Sequence, residues 1–233
     1  MEIKLIVALD FAYLDEARAL IAQLNPTICA LKIGLEMFTL FGAHFVRELV
    51  NKGFKVFLDL KFFDIPNTVA QACQAAAELG IWMLNVHASG GLKMMQAAKK
   101  VLEPYGKERP LLIAVTVLTS MGENDLEVLG IKTPLPDYAN HLALLAQEAE
   151  LDGVVCSPLE VPLIKRACGQ SFLTVTPGIR LAGDSLNDQT RVMTPVQALE
   201  IGADYLVMGR SITKAINPSQ IIDEILVNIA ATS

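Results

Sequence analysis

The chain has 233 residues, 52% of them hydrophobic and 19% charged, which supplies a sizeable core and excludes compositional disorder. Its net charge of −6 excludes the basic stripe of a nucleic-acid-binding surface, although local cations on an acidic protein still bind small anions. Mean hydropathy is +0.42, yet the longest apolar run, Leu111–Leu118, is far too short to span a bilayer, and the strand-like first ten residues do not read as a signal peptide, so a soluble cytoplasmic protein with no membrane contact is expected.

In chain order, a β-rich run over Ile3–Leu9 precedes a helical pattern over Leu14–Leu24, and Ile28–Ile33 precedes Leu35–Asn51. Lys55–Leu60 then leads to a helix over Thr68–Leu79, and Trp82–Val86 to one over Leu92–Leu102. Leu111–Leu118 opens the longest connection, Thr119 to Asp152, whose Gly122, Gly130, Pro134 and Pro136 predict an extra short helix before the main one. Val154–Cys156, Phe172–Thr176 and Tyr205–Met208 complete eight strand runs. Their near-continuous Val, Ile and Leu require both faces to be buried, as in an all-parallel sheet. Strand–helix alternation of this number and length predicts a single (β/α)8 barrel over residues 1–233. An open doubly wound sheet fits less well, since it uses fewer strands and often a Gly-x-Gly-x-x-Gly turn, absent here.

Barrel active sites lie where the strands end. Asp10 closes the first run, Lys32 the second, Asp59 and Lys61 the third; Thr119 and Ser120 follow the fifth, Pro177 to Arg180 the seventh, and Gly209 and Arg210 the eighth. Asp59 and Lys61 are two residues apart and share one face of an extended strand. A structural ion pair is one account of them. Buried pairs seldom outperform apolar replacements, however, which favours function. Taken singly, Lys32 can snorkel to solvent and Asp10 can cap the following helix.

A second constellation comprises Thr176-Pro-Gly-Ile-Arg180, a polar loop reaching Gln189 and Arg191, and Gly209-Arg210. It suits a phosphate: Gly209 permits close backbone approach, and guanidinium groups supply matched charge. An ordinary turn carrying a surface arginine is the alternative. The loop Leu181–Asp188 has the composition of a lid. Four scattered cysteines and three dispersed histidines offer no Cys/His metal site, so the cysteines are expected to be buried and reduced. His87 is expected to order a neighbouring loop, and Trp82 to be core.

These residues together resemble the orotidine 5′-phosphate decarboxylase family. The resemblance runs through Val7-Ala-Leu-Asp10, Leu31-Lys-Ile-Gly34, Asp59-x-Lys61-x-x-Asp64-Ile-Pro-Asn-Thr68, Val86-His-Ala-Ser-Gly-Gly91, Leu118-Thr-Ser120, Thr176-Pro-Gly-Ile-Arg180 and Val207-Met-Gly-Arg-Ser211. It implies decarboxylation of orotidine 5′-phosphate to UMP without metal or organic cofactor. It also implies a catalytic network of Lys32, Asp59, Lys61 and Asp64, with Lys61 the proton donor. Asp10 and Lys32 would contact the ribose, Thr119 and Ser120 the pyrimidine, and Arg180, Gln189, Gly209 and Arg210 the phosphate. Asp64 and Thr68 would reach the partner's site in a homodimer. Phe63 and Leu181 depart from residues common among relatives, at positions the chemistry does not require. Two alternatives stand beside this: a magnesium-dependent sugar-phosphate enzyme of similar pattern, which carries glutamate in place of Lys32, and a non-catalytic phosphate-binding barrel.

Overall fold

The computed structural model describes residues 3–181 and 193–230. Eight parallel strands close into one barrel in sequence order: β1 (Leu5–Leu9), β2 (Cys29–Gly34), β3 (Val56–Phe62), β4 (Met83–His87), β5 (Leu111–Val115), β6 (Gly153–Val155), β7 (Leu173–Thr176) and β8 (Tyr205–Met208). Around them lie α1 (Leu14–Ile21), α2 (Leu35–Asn51), α3 (Pro66–Ala77), α4 (Leu92–Leu102), α5 (Glu123–Val128), α6 (Leu135–Glu148), α7 (Val161–Cys168), α8 (Pro195–Glu200), α9 (Arg210–Thr213) and α10 (Pro218–Ala230). The predicted (β/α)8 barrel is what the chain forms, and α5 is the extra short helix expected after the fifth strand.

Two apolar layers hold the barrel. Leu5, Val7 and Leu9, with Leu31, Ile33, Val56 and Leu58, point outward and pack under the helices. The alternate residues, among them Ile6, Ala8, Ala30, Phe57, Met83, Ile113, Val175, Tyr205 and Val207, fill the interior. The two-residue period of a strand makes this division unavoidable, and it also aims the site. Continuing the inward register past the apolar layer gives Asp10 after Ala8, Lys32 after Ala30, Asp59 after Phe57, and Asn85 after Met83. Four strands thus present a polar group at the same end of the barrel.

The opposite end carries charges with a structural task. Asp152, just before β6, accepts the Leu112 backbone N–H at 2.8 Å and two hydrogen bonds from Arg109 at 2.6 Å. Asp204, just before β8, accepts the Thr174 N–H at 2.7 Å and Lys165 Nζ at 2.6 Å. Each carboxylate joins a strand end to its neighbour, and each has a cation of its own.

Element boundaries differ from expectation in two informative places. β5 ends at Val115, not Leu118: Thr116 still donates to the Val155 carbonyl, but Leu118 accepts from Met121 N–H in a turn. That turn carries Thr119 to the barrel mouth. α3 starts at Pro66, two residues before Thr68, because proline lacks the N–H that a first helical turn leaves unpaired. All four cysteines are free and buried. Trp82 is only partly buried, its ring edge-on to Tyr205 and beneath Lys55 Nζ.

Candidate active site

A cavity of about 260 Å³ opens at the C-terminal end of the strands. Of the residues expected there, Asp10, Lys32, Asp59, Lys61, Thr119, Arg180, Gly209 and Arg210 line it. Its apolar floor is the top of the interior layer, Ala8, Phe57, Val115, Val155 and Val207. Ser120 is exposed outside this lining, and Gln189 lies outside the described residues, as does most of the expected lid.

The charges form a chain along one wall. Lys61 Nζ donates to Asp59 Oδ1 at 2.7 Å, and Lys32 Nζ lies 3.3 Å from Asp59 Oδ2. Lys32 also lies 3.6 Å from Asp10 Oδ1, so cation and anion alternate in the order Asp10, Lys32, Asp59, Lys61. Burial by itself pushes the Asp59 carboxyl up, but the charges of Lys32 and Lys61, with hydrogen bonds from Lys61 and Asn85, outweigh it and hold the group below its ordinary value. For Lys32 burial pulls the ammonium down, and Asp59 and Asp10 more than offset that, so its pKa is raised. Both partners are therefore charged at neutral pH.

Asp64 does not extend this chain within one protomer. It is exposed, makes no ion pair with Lys61, and its Oδ1 accepts the following Ile65 N–H at 2.6 Å. Thr68, in the first turn of α3, is exposed as well.

Across the mouth from Lys61, Arg180 and Arg210 contribute two guanidinium groups beside Gly178 and Gly209. Arg180 Nη1 donates to the Ile179 carbonyl at 3.0 Å, while its buried Nε has no hydrogen-bond partner among the described residues. A buried donor left in that condition suits an anionic ligand. Gly209 borders Ala8 and Asp10, where an added Cβ would stand 3.7 and 3.9 Å away.

Sequence reasoning missed Asn85. Its side chain is wholly buried, donates from Nδ2 to Asp59 Oδ1 at 2.7 Å, and accepts the Lys61 backbone N–H on Oδ1 at 2.8 Å. The available signal was an asparagine inside a strand of buried apolar residues, in the inward register, where an amide must find partners. His87, two residues on, binds Ser89 Oγ through Nδ1 at 2.6 Å, the loop-ordering part expected of it. Burial first, then the Lys61 charge, lower the His87 pKa.

This assembly places an ammonium, a carboxylate that fixes it, and an anion-binding pair around one small cavity. It can hold a phosphorylated ligand at one side and stabilise developing negative charge at the other.

The chain is similar to known proteins over nearly its whole length. A family model described as "Orotidine 5′-phosphate decarboxylase / HUMPS family" matches residues 3–225. A protein of Legionella pneumophila (strain Lens) named orotidine 5′-phosphate decarboxylase is 61% identical over 223 residues, covering 96% of this chain and 97% of its own. One of the same name from Haemophilus influenzae is 56% identical over 229 residues, covering 98% and 100%. The crystal structure of orotidine 5′-phosphate decarboxylase from Lactobacillus acidophilus superimposes with a TM-score of 0.87 at 37% identity, covering 98% of this chain and 99% of that one.

Proposed function

The chain belongs to the orotidine 5′-phosphate decarboxylase / HUMPS family, and from that premise we propose that it converts orotidine 5′-phosphate to UMP with no metal or organic cofactor. The observation that carries this reading is the Lys32–Asp59–Lys61 contact chain beside a cavity whose other side presents Arg180 and Arg210. In the reaction the bond from C6 to the carboxylate breaks, carbon dioxide leaves, and the electron pair remains on C6. Lys61 stabilises that pair and donates the proton that replaces the carboxylate; solvent later returns a proton to Lys61. Asp59 holds the Lys61 ammonium in place at 2.7 Å and crowds the departing carboxylate with like charge.

Phosphate binding by Arg180, Gly209, Arg210 and Gln189, remote from C6, supplies free energy that can be used to organise the charged wall. Asp10 and Lys32 face the ribose, and Thr119 the base. Metal independence is supported by Lys32, an ammonium occupying the second-strand position at which metal-using relatives need a carboxylate. Pyrimidine synthesis of this kind is work for the cytoplasm, and no helix among the described residues is long and apolar enough to cross a membrane.

A homodimer completes the reading. Asp64 and Thr68 are exposed and absent from the lining of their own cavity, and the neighbouring Phe63 and Ile65 are 62% and 67% exposed, so this segment has the character of an interface that delivers Asp64 to the neighbouring site. Mixing inactive Lys61→Ala and Asp64→Asn chains should restore turnover, since one site of each mixed dimer regains both groups; a mixture as inactive as its components removes the shared site.

The activity itself is tested by incubating EDTA-treated protein with orotidine 5′-phosphate and following ultraviolet absorbance. Rapid loss of substrate is the expected result. No turnover, or turnover only with added Mg²⁺, overturns the proposal in favour of a phosphate-binding barrel or a metal-dependent relative.

A further inference from the structure

β3 and β4 fall out of step beside the charged wall. Phe57 and Leu58 pair with Met83 and Leu84, but the next pair is Phe62 with Val86. Asp59, Leu60 and Lys61 therefore stand opposite one residue, Asn85. Within this bulge Lys61 adopts a φ of +51°, a left-handed conformation disfavoured for a residue with a Cβ. Strain of this kind persists only where the surroundings over-determine it.

Asn85 supplies that constraint. Its carbonyl oxygen takes the Lys61 N–H that the broken ladder leaves over, and its amino group reaches Asp59 Oδ1, the oxygen that also receives Lys61 Nζ. One amide grips the backbone of Lys61 and the carboxylate to which Lys61 points. Only one orientation works, because only Oδ1 can accept the N–H and only Nδ2 can donate to a carboxylate.

Resting on the decarboxylase reading above, we infer that Asn85 is a positioning residue for the reaction, pinning the bulge so that Asp59 and Lys61 keep one geometry as the proton moves. When Lys61 turns from Asp59 towards C6, the Asn85 donor stays on Oδ1 and keeps the carboxylate oriented. Asn85 does this without adding charge. A leucine would leave a buried N–H unpaired, and an ionised aspartate would oppose Asp59.

The test uses the full chain carrying Asn85→Ala or Asn85→Asp, with folding followed by circular dichroism. For Asn85→Ala, kcat should fall about 10²-fold, as for a reacting group misplaced by about 1 Å. KM and UMP affinity should stay within about threefold of the parent, the split that marks a transition-state role. The acid limb of kcat should move to higher pH, because Asp59 has lost a donor that favours its charged form. For Asn85→Asp, turnover should be low at neutral pH and rise on acidification, since the protonated introduced carboxyl accepts from Lys61 N–H and donates to Asp59.

A residue serving only the fold would lower stability and leave kcat and both pH profiles unmoved; that result overturns the inference. If Asn85→Ala does not fold, the nearly isosteric Asn85→Asp decides: a flat, parent-like profile overturns the inference and a rise towards acid supports it. A parent chain with no turnover overturns the decarboxylase reading and this inference together, whereas an active parent with unmoved variants overturns the inference alone.

Discussion

Lys32 and Asp59 meet at 3.3 Å although they are not neighbours in the register of β2 and β3. Lys32 stands beside Phe57, and Asp59 stands beside Gly34. The lysine reaches along the strand direction to its carboxylate, and the space it crosses lies over Gly34. A Cβ at that position would come within 3.2 Å of Lys32 Nζ and 3.7 Å of Asp10 Oδ1. The contact thus depends on a residue with no side chain.

Gly34→Ala should consequently impair catalysis without harming the fold. The backbone there is extended, with φ −93° and ψ −174°, which alanine adopts freely. Lys32 must give way instead, and kcat/KM should fall about tenfold, or about 1.4 kcal/mol. Urea unfolding should remain within about 0.5 kcal/mol of the parent. An unchanged kcat/KM would show that the crowded ammonium is not needed where it stands.

Lys61→Ala should abolish turnover while leaving nucleotide binding. Loss of both the proton donor and the cation facing C6 predicts a fall in kcat of about 10⁴-fold or more. UMP affinity by calorimetry should change by less than about tenfold, because the phosphate groups are untouched. Near-normal turnover would remove Lys61 from the proton-donor role.

Asp59→Asn should destabilise the protein in a pH-dependent way. The folded Asp59 carboxyl titrates below its ordinary value, so its contribution is complete above the unfolded pKa of about 3.9 and is lost as pH falls through the folded value. At pH 7 the substitution leaves Lys32 buried with Asp10 as its remaining anion, a loss of at most about 3–5 kcal/mol by comparison with broken buried pairs that keep no second partner. Urea titrations from pH 7 to pH 3 should show the gap between parent and variant closing at the acid end. A constant gap would mean that packing, not charge, accounts for the loss.

Gly153→Ala tests the barrel wall apart from the chemistry. Gly153 pairs with Leu173, and an added Cβ would fall against the Leu173 carbonyl oxygen and lie 2.6 Å from its Cβ. Backbone must move to admit it, which predicts a loss of about 1–3 kcal/mol in urea unfolding. Parent-like stability would show that β6 and β7 can part at no cost.

Much of this molecule was legible in order along the chain. Continuous apolar runs alternating with amphipathic stretches determined the parallel barrel, because strand and helix periods are local properties of sequence. The strand ends carried Asp10, Lys32, Asp59 and Lys61 in plain view, and eight of the expected site residues do line one cavity. What depends on pairing between distant segments was not legible. The slip of β3 against β4, the positive φ of Lys61 and the double grip of Asn85 arise from register across a bulge, which no local pattern encodes. The room over Gly34 belongs to the same class, since it exists only once β2 and β3 are aligned. Asp64 marks the limit of a single chain: its motif joins it to Lys61, yet three dimensions leave it exposed and outside the lining of its own cavity. Sequence determined which charges enter the barrel mouth; tertiary structure decided which atoms they meet, because that is fixed by contacts between strands and not within them.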